Sequence, residues 1–137
     1  MTTSSIKIII PREIHKVWET ITAVEAYHTW RSDVSKTEVI SEKQFIAYTQ
    51  SSYATTYTIT AMEPYQRLEL ELENSHIRGH WTGLFTPKGA ETEINITAGV
   101  SAKQLATRPV GQSVFEQTYL RKEEERFLGD LRKVFDF

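Results

Sequence analysis

The chain has 137 residues, a formal net charge of −2 and no cysteine. This length predicts a single domain, residues 1–137, that buries about two thirds of the surface its unfolded chain exposes. Interspersed charges of both signs argue against nucleic-acid binding, and the lack of cysteine excludes disulfides, thiolate zinc sites and cysteine nucleophiles.

The first residues carry no targeting or membrane-spanning pattern. Residues 1–5 are mostly polar, and the nearest apolar run, residues 8–10, is far shorter than a signal-peptide core or a membrane span. We therefore expect a soluble, cytoplasmic protein with no stable membrane insertion. No pattern in the sequence specifies an oligomeric state.

A strand and two helices are predicted at the start of the chain. The strand covers residues 5–10 and is stopped by Pro11, which suits the first turn of a helix. Apolar residues then recur at i, i+3, i+4 and i+7, the spacing of one helix face. They are Ile14, Val17, Trp18 and Ile21. Residues 22–25, Thr-Ala-Val-Glu, form a capping-box pattern that predicts a second short helix, with Tyr27 and Trp30 turned inward.

Residues 33–103 predict a six-stranded antiparallel meander, because short runs rich in strand-forming residues alternate with turn signals. The turn signals lie at residues 41–42, 51–52, 63–65, 74–75 and 87–90. A two-residue loop at 64–65 would place Tyr57, Ile59 and Ala61 opposite Leu72, Leu70 and Leu68. In the preceding strand, inward-facing Phe45 and Ala47 are favoured over the alternative, Ile46 and Tyr48.

The stretch 76–86 fixes the two faces of this sheet, since alternate residues point to opposite sides. One face carries Ile77, Gly79, Trp81, Gly83 and Phe85. The predicted partners of this face are Leu72 for Ile77, Leu70 and Ala98 for Gly79, Leu68 and Ile96 for Trp81, and Ile94 for Gly83. Glycines at the centre of a buried face allow close approach of another group. We interpret them as room for an apolar molecule.

The opposite face carries His76, Arg78 and His80, a spacing that admits a metal or phosphate site. The predicted register places them opposite Glu73, Glu71 and Glu69, with Glu71 beside Arg78. A solvent-exposed ladder of cross-strand charges explains this pattern. His15 and His28 lack the spacing of a known zinc motif, so we predict neither a metal site nor a cofactor.

A long helix is predicted at the end of the chain. Pro109 and Gly111 favour an irregular segment, and residues 113–116, Ser-Val-Phe-Glu, form a second capping box from which a helix of ~22 residues would start. Its apolar stripe consists of Leu120, Phe127, Leu128, Leu131, Val134 and Phe135. Gln117 and Glu124 fall within the arc of that stripe. The residues predicted to point away are Arg121, Glu125, Arg132 and Lys133.

Several segments of this chain match a known pattern: residues 10–18 (Ile-Pro-Arg-Glu-Ile-His-Lys-Val-Trp), 27–30, 63–64, 79–83 and 119–120. With the order strand, two helices, meander and long helix, they resemble the START-like or helix-grip superfamily, and within it the polyketide cyclase/dehydrase and lipid-transport-like group. The resemblance covers nearly the whole chain and implies an α+β fold that holds a hydrophobic small molecule or lipid between sheet and helix. A sister group related to activators of a heat-shock ATPase is a second match within the superfamily.

The leading functional hypothesis is a protein that binds or carries a hydrophobic small molecule, which can be a lipid or a polyketide-like or aromatic compound. The predicted ligand-contacting residues are Trp30, Phe45, Tyr57, Gly79, Trp81, Gly83, Phe85, Gln117, Leu120 and Glu124. A cyclase or dehydratase is the alternative, with Glu124 as the acid or base and Tyr57 or Gln117 orienting an oxygen. A protein-interaction module of the co-chaperone kind is a third hypothesis, against which the Glu-rich run 69–73 argues.

Overall fold

The structure is a computed structural model that describes residues 1–103 and 109–137, the latter with side chains from residue 113 onward. Strand β1 is Thr2–Ile10, helix α1 is Ile14–Thr22, and a 3-10 helix covers Val24–Thr29. The remaining elements are β2 Lys36–Ser41, β3 Gln44–Tyr48, β4 Ala54–Glu63, β5 Arg67–Glu73, β6 Ile77–Lys88, β7 Glu91–Ala102 and α2 Pro109–Phe135.

The seven strands form one antiparallel sheet in the order β1-β7-β6-β5-β4-β3-β2. This confirms the predicted α+β architecture of a first strand, two short helices, a six-stranded meander and a long final helix. The first strand pairs with the last one and forms one edge of the sheet, and β2 forms the other edge. The sheet and the helices enclose the apolar core between them.

Helix α1 begins at a side-chain cap, Glu13, that no sequence pattern predicted. The Glu13 carboxylate accepts hydrogen bonds from the backbone N–H groups of His15 and Lys16, at 3.0 and 2.9 Å. The capping box predicted at residues 22–25 is wrong, because the 3-10 helix has Ala23 at its N-cap and no side-chain cap. The Thr22 hydroxyl instead donates to the carbonyl of Trp18 within α1, at 2.8 Å.

The predicted register of β5 on β6 was wrong by two residues. The observed pairs are Leu68 with Gly83, Leu70 with Trp81, Leu72 with Gly79, and Glu73 with Arg78. The turn is longer than two residues because the Asn74 side chain accepts from the N–H groups of His76 and Ile77, and β6 starts only at Ile77. A shift of two keeps every side chain on its predicted face.

The predicted register of β6 on β7 was also wrong by two residues. The turn is confined to residues 89–90, with Gly89 at φ 65°, and Lys88 still pairs with Glu91. The observed pairs are therefore Gly79 with Val100, Trp81 with Ala98, Gly83 with Ile96 and Phe85 with Ile94.

The predicted pairing of β4 with β5 is confirmed for two residue pairs and wrong for a third. Tyr57 pairs with Leu72 and Ile59 pairs with Leu70, as predicted. A β-bulge between Ile59 and Ala61 then shifts the register, so that Ala61 lies opposite Glu69 and not opposite Leu68. The loop before β5 is also one residue longer than predicted, and its residue Tyr65 has a positive φ of 67°.

The outer face of the sheet is a solvated charge ladder, although its pairs differ from the predicted ones. Arg78 pairs with Glu73 across the strands, with 3.4 Å between the charged groups, and Glu71 lies opposite His80. Glu73 also contacts Lys103. Arg78 is exposed and does not enter the protein interior.

Helix α2 starts earlier than predicted, at Pro109, and includes Gly111. Its 27 residues correspond to a length of about 40 Å. The capping box at residues 113–116 is therefore wrong. Glu116 is buried instead and accepts hydrogen bonds from the Thr2 hydroxyl, at 2.6 Å, and the Ala102 N–H, at 2.8 Å. This carboxylate ties the helix to the ends of β1 and β7.

The largest cluster of buried apolar residues lies where α1 and the end of α2 pack on the sheet. Val17, Trp18 and Ile21 are buried on α1, and Leu131 and Phe135 are buried on α2. The ring of Trp18 contacts the ring of Phe85 edge to face, with 5.0 Å between their centres. The predicted inward orientation of Phe45 and Ala47 is confirmed, since both side chains are buried.

Candidate ligand cavity

A cavity of about 100 Å³ lies between the concave face of the sheet and α2. Strands β5, β6 and β7 contribute an apolar wall that includes Leu70, Trp81 and Ala98. Helix α2 closes the other side with Leu120 and Phe127. The alternation of the strands brings these residues together, because the side chains that face α2 occupy every second position.

Half of the predicted ligand-contacting residues line this cavity. They are Trp30, Tyr57, Trp81, Leu120 and Glu124. The rings of Trp30 and Trp81 both contact Phe127, at 6.2 and 6.0 Å between ring centres. Aromatic groups from the residue that follows the 3-10 helix, from the sheet and from α2 therefore converge here.

The other predicted residues lie elsewhere. Phe45 is stacked behind Tyr57, with a ring separation of 4.9 Å, and so supports the wall without forming it. Phe85 belongs to the core beside Trp18. Gln117 is exposed on α2 and does not line the cavity.

Gly79 and Gly83 do not hold the cavity open, and that interpretation is wrong. A Cβ atom on Gly79 would lie 2.5 Å from the carbonyl oxygen of Gly99 in the neighbouring strand. A Cβ atom on Gly83 would lie 2.7 Å from Cη2 of Trp81. Other atoms of the protein lie against the backbone at both residues and leave no space for a side chain. Close approach of protein atoms, like close approach of a ligand, is a common reason for glycine in a strand.

A cluster of charged residues at one end of the cavity was not predicted. Arg126 on α2 donates to Asp33 at 2.9 Å and to Asp130 at 3.3 Å, and it also contacts Glu123. Arg31 donates to the second oxygen of Asp33 at 3.2 Å. Arg31, Glu123 and Arg126 all line the cavity. One signal was available in the sequence, since residues 123, 126 and 130 follow helical spacing beside the apolar stripe.

Three side-chain nitrogens at this end of the cavity have no hydrogen-bond acceptor in the part of the chain that the structure describes. They are Trp30 Nε1, Arg31 Nε and Arg126 Nε, and all are shielded from solvent. An unsatisfied buried donor costs about 1–3 kcal/mol, so three such donors on residues that line one cavity are unusual in a folded protein.

The cavity wall contains aromatic hydroxyls that remain protonated at neutral pH. Burial raises the pKa of Tyr27 to about 12, although the charge of Arg31 acts in the opposite direction. Burial, and then the charge of Glu123, raises the pKa of Tyr119. Burial alone would lower the pKa of Arg31, but the neighbouring Tyr57 and Asp33 hold it above its ordinary value. The guanidinium therefore stays charged.

Glu124, the carboxylate predicted from helix periodicity, lies on the cavity wall. It is half-buried and accepts a hydrogen bond from the Ser4 hydroxyl on β1. Because Ser4 satisfies one oxygen, the carboxylate is held in position beside the cavity.

Within the described residues, no group of three or more His, Cys, Asp or Glu side chains is arranged to hold a metal ion. None of the helices in that same part of the chain is both long enough and apolar enough to cross a membrane.

Comparison with known proteins agrees with this architecture. A family model described as "Polyketide cyclase / dehydrase and lipid transport" matches residues 1–136. No curated protein matches the chain.

Similar solved structures share the fold at low sequence identity. The Zhui aromatase/cyclase from a Streptomyces species has a TM-score of 0.80 at 10% identity, covering 98% of this chain and 93% of that one. A START superfamily protein from Mycobacterium smegmatis has a TM-score of 0.71 at 12% identity, covering 96% and 98%. A conserved protein from Geobacillus kaustophilus has a TM-score of 0.77 at 14% identity, covering 98% and 95%. These structures confirm the START-like helix-grip fold.

Proposed function

Because the chain belongs to the polyketide cyclase/dehydrase and lipid transport family, we propose that it binds a small hydrophobic molecule in the cavity between the concave sheet and α2. The observation that carries this proposal is the apolar cavity itself, which lies beside the largest cluster of buried apolar residues. We assign ligand contact to Trp30, Tyr57, Trp81, Leu120 and Glu124.

The size of the cavity limits the ligand. Pockets for drug-sized molecules measure ~300–1,000 Å³, whereas an apolar cavity of ~150 Å³ takes a single benzene ring. At about 100 Å³, this cavity is smaller than that one, so it suits no ligand larger than a one-ring compound or a short aliphatic chain. A larger ligand would require α2 to move away from the sheet.

A graded series of alkylbenzenes, from benzene to butylbenzene, tests the proposal by calorimetric titration. Affinity should increase about threefold to fourfold per added CH₂ group, as expected for ~0.8 kcal/mol each, until the cavity is filled. Ala98 lies on the cavity wall, so Ala98→Leu should abolish binding of the longer members. Ala54 is exposed on β4, and Ala54→Leu is the matched control. Folded protein that binds no member of the series would refute the proposal.

A second candidate is a cyclase or dehydratase that acts on an aromatic or polyketide-like substrate. The position of Glu124 on the cavity wall, hydrogen-bonded by Ser4, favours this candidate. In this alternative Glu124 would transfer a proton and Tyr57 would orient a substrate oxygen. Gln117 is too exposed to share that role. The change that distinguishes binding from catalysis is Glu124→Gln.

A further inference from the structure

The polar end of the cavity has hydrogen-bond donors that lack acceptors. Trp30, Arg31 and Arg126 line the cavity, and each has one buried nitrogen without a partner among the described residues. Neighbouring atoms cover these nitrogens, so a ligand atom reaches them only after a small movement of the wall. The long side chains of the two arginines allow such a movement.

The positive charges of the two arginines are already compensated by carboxylates of the protein. The Nη groups of Arg31 and Arg126 contact Asp33, Glu123 and Asp130. Glu124 adds a further carboxylate on the cavity wall. Carboxylates therefore outnumber guanidiniums, and a ligand that brought another negative charge would be repelled. A neutral acceptor avoids this repulsion.

We propose that the cavity selects a neutral ligand with one acceptor oxygen, such as an aryl ketone, and rejects a carboxylate of the same shape. The oxygen would lie at the end formed by Trp30 and Arg31, and the ring would lie against Trp81 and Phe127. This inference rests on the proposed function, because it specifies which small molecules that cavity accepts.

Three compounds of nearly equal size test the inference: acetophenone, α-methylstyrene and benzoate. Acetophenone has a C=O group where α-methylstyrene has C=CH₂, and benzoate carries a negative charge. Acetophenone should bind at least about fivefold more tightly than α-methylstyrene, the effect of one hydrogen bond. Benzoate should bind at least about tenfold more weakly than acetophenone.

Conservative variants identify which of the three nitrogens donates a hydrogen bond to the ligand oxygen. Trp30→Phe keeps an aromatic ring but removes the N–H, and Arg31→Lys and Arg126→Lys keep the charge but remove Nε. At least one of these changes should reduce the preference for acetophenone over α-methylstyrene by about fivefold. The control is Trp18→Phe, a change in the core outside the cavity, which should leave the preference unchanged.

Each outcome has a distinct meaning. Equal binding of acetophenone and α-methylstyrene, tighter binding of benzoate, or a preference that survives all three donor variants would overturn the inference while leaving the proposed function intact. Failure of acetophenone, α-methylstyrene and the alkylbenzenes to bind would instead refute the proposed function.

Discussion

The indole ring of Trp81 lies over Gly83, its neighbour two positions along the same face of β6, so closely that a Cβ atom there would be 2.7 Å from the ring. Trp81 also forms part of the cavity wall. The absence of a side chain at residue 83 therefore sets the position of an aromatic group that the proposed ligand contacts.

Alanine substitutions should separate the roles of the two glycines. Gly79→Ala places Cβ 2.5 Å from a backbone oxygen of β7, which cannot move without disturbing the strand pairing, and should cost about 3 kcal/mol in the free energy of unfolding. Gly83→Ala meets the far end of the Trp81 ring, which can shift, and should cost about 1 kcal/mol.

Urea denaturation measures both changes. Gly129→Ala is the matched control, because nothing lies within 4 Å of the added Cβ on α2. It should stabilise the protein by up to about 1 kcal/mol through helix propensity. A Gly79→Ala variant as stable as the unsubstituted protein would contradict the close approach of β7.

Asp130 should be among the most sensitive polar residues. This buried carboxylate accepts hydrogen bonds from the N–H of Ser32, at 3.0 Å, and from Arg126, at 3.3 Å, and so joins α2 to the loop before β2. Asp130→Ala would leave Arg126 with less of its compensating charge and should destabilise the protein by about 3 kcal/mol. Thermal unfolding can compare it with Glu125→Ala at an exposed position on the same helix, which should change stability by less than ~0.5 kcal/mol.

Glu116 should make stability depend on pH. Burial alone would raise its pKa, but hydrogen bonds from Thr2 and the Ala102 N–H hold the pKa below its ordinary value. The charged form therefore stabilises the folded state at pH values above the ordinary glutamate pKa of about 4.3. That contribution is lost as the pH falls through the lowered pKa.

Glu116→Gln should accordingly reduce the free energy of unfolding at pH 7 and have a smaller effect at pH 3. Urea denaturation at both pH values measures this difference, with Glu125→Gln as the exposed control. An equal loss of stability at pH 7 and pH 3 would show that the charge of Glu116 does not contribute.

The sequence predicted the elements and the faces of the sheet better than it predicted their register. Alternation has a period of two, so an error of two residues at the β5–β6 and β6–β7 turns left Leu70, Trp81 and Phe85 on their correct face. The turn lengths depend on local hydrogen bonds, such as those accepted by Asn74, which pattern alone does not specify.

The site was harder to predict than the fold. The positions of Trp81 and Leu120 on the cavity wall were predicted correctly from periodicity. The role of the glycines was not, because the sequence does not distinguish a glycine that makes room for a ligand from one that makes room for a neighbouring strand. Asp33 was not predicted because its partner Arg126 lies 93 positions further along the chain, and Arg31 joins this cluster through Asp33. Such a cluster becomes visible only when α2 is placed on the sheet.

Glu124→Gln distinguishes a binding protein from an enzyme. The substitution keeps one oxygen to accept the hydrogen bond from Ser4 but removes the charge and the ability to transfer a proton. If the protein only binds its ligand, the dissociation constant of an alkylbenzene should change by less than about tenfold, since one polar contact contributes on the order of 1 kcal/mol. If the protein catalyses a reaction, turnover should fall by ~10²–10⁴-fold, the usual contribution of general acid-base catalysis.

Glu125→Gln, one position further along α2 and exposed, should leave both the dissociation constant and the turnover unchanged. Calorimetric titration and product analysis on the same preparations provide the two readouts, and a turnover that survives Glu124→Gln would remove this carboxylate from the proposed chemistry.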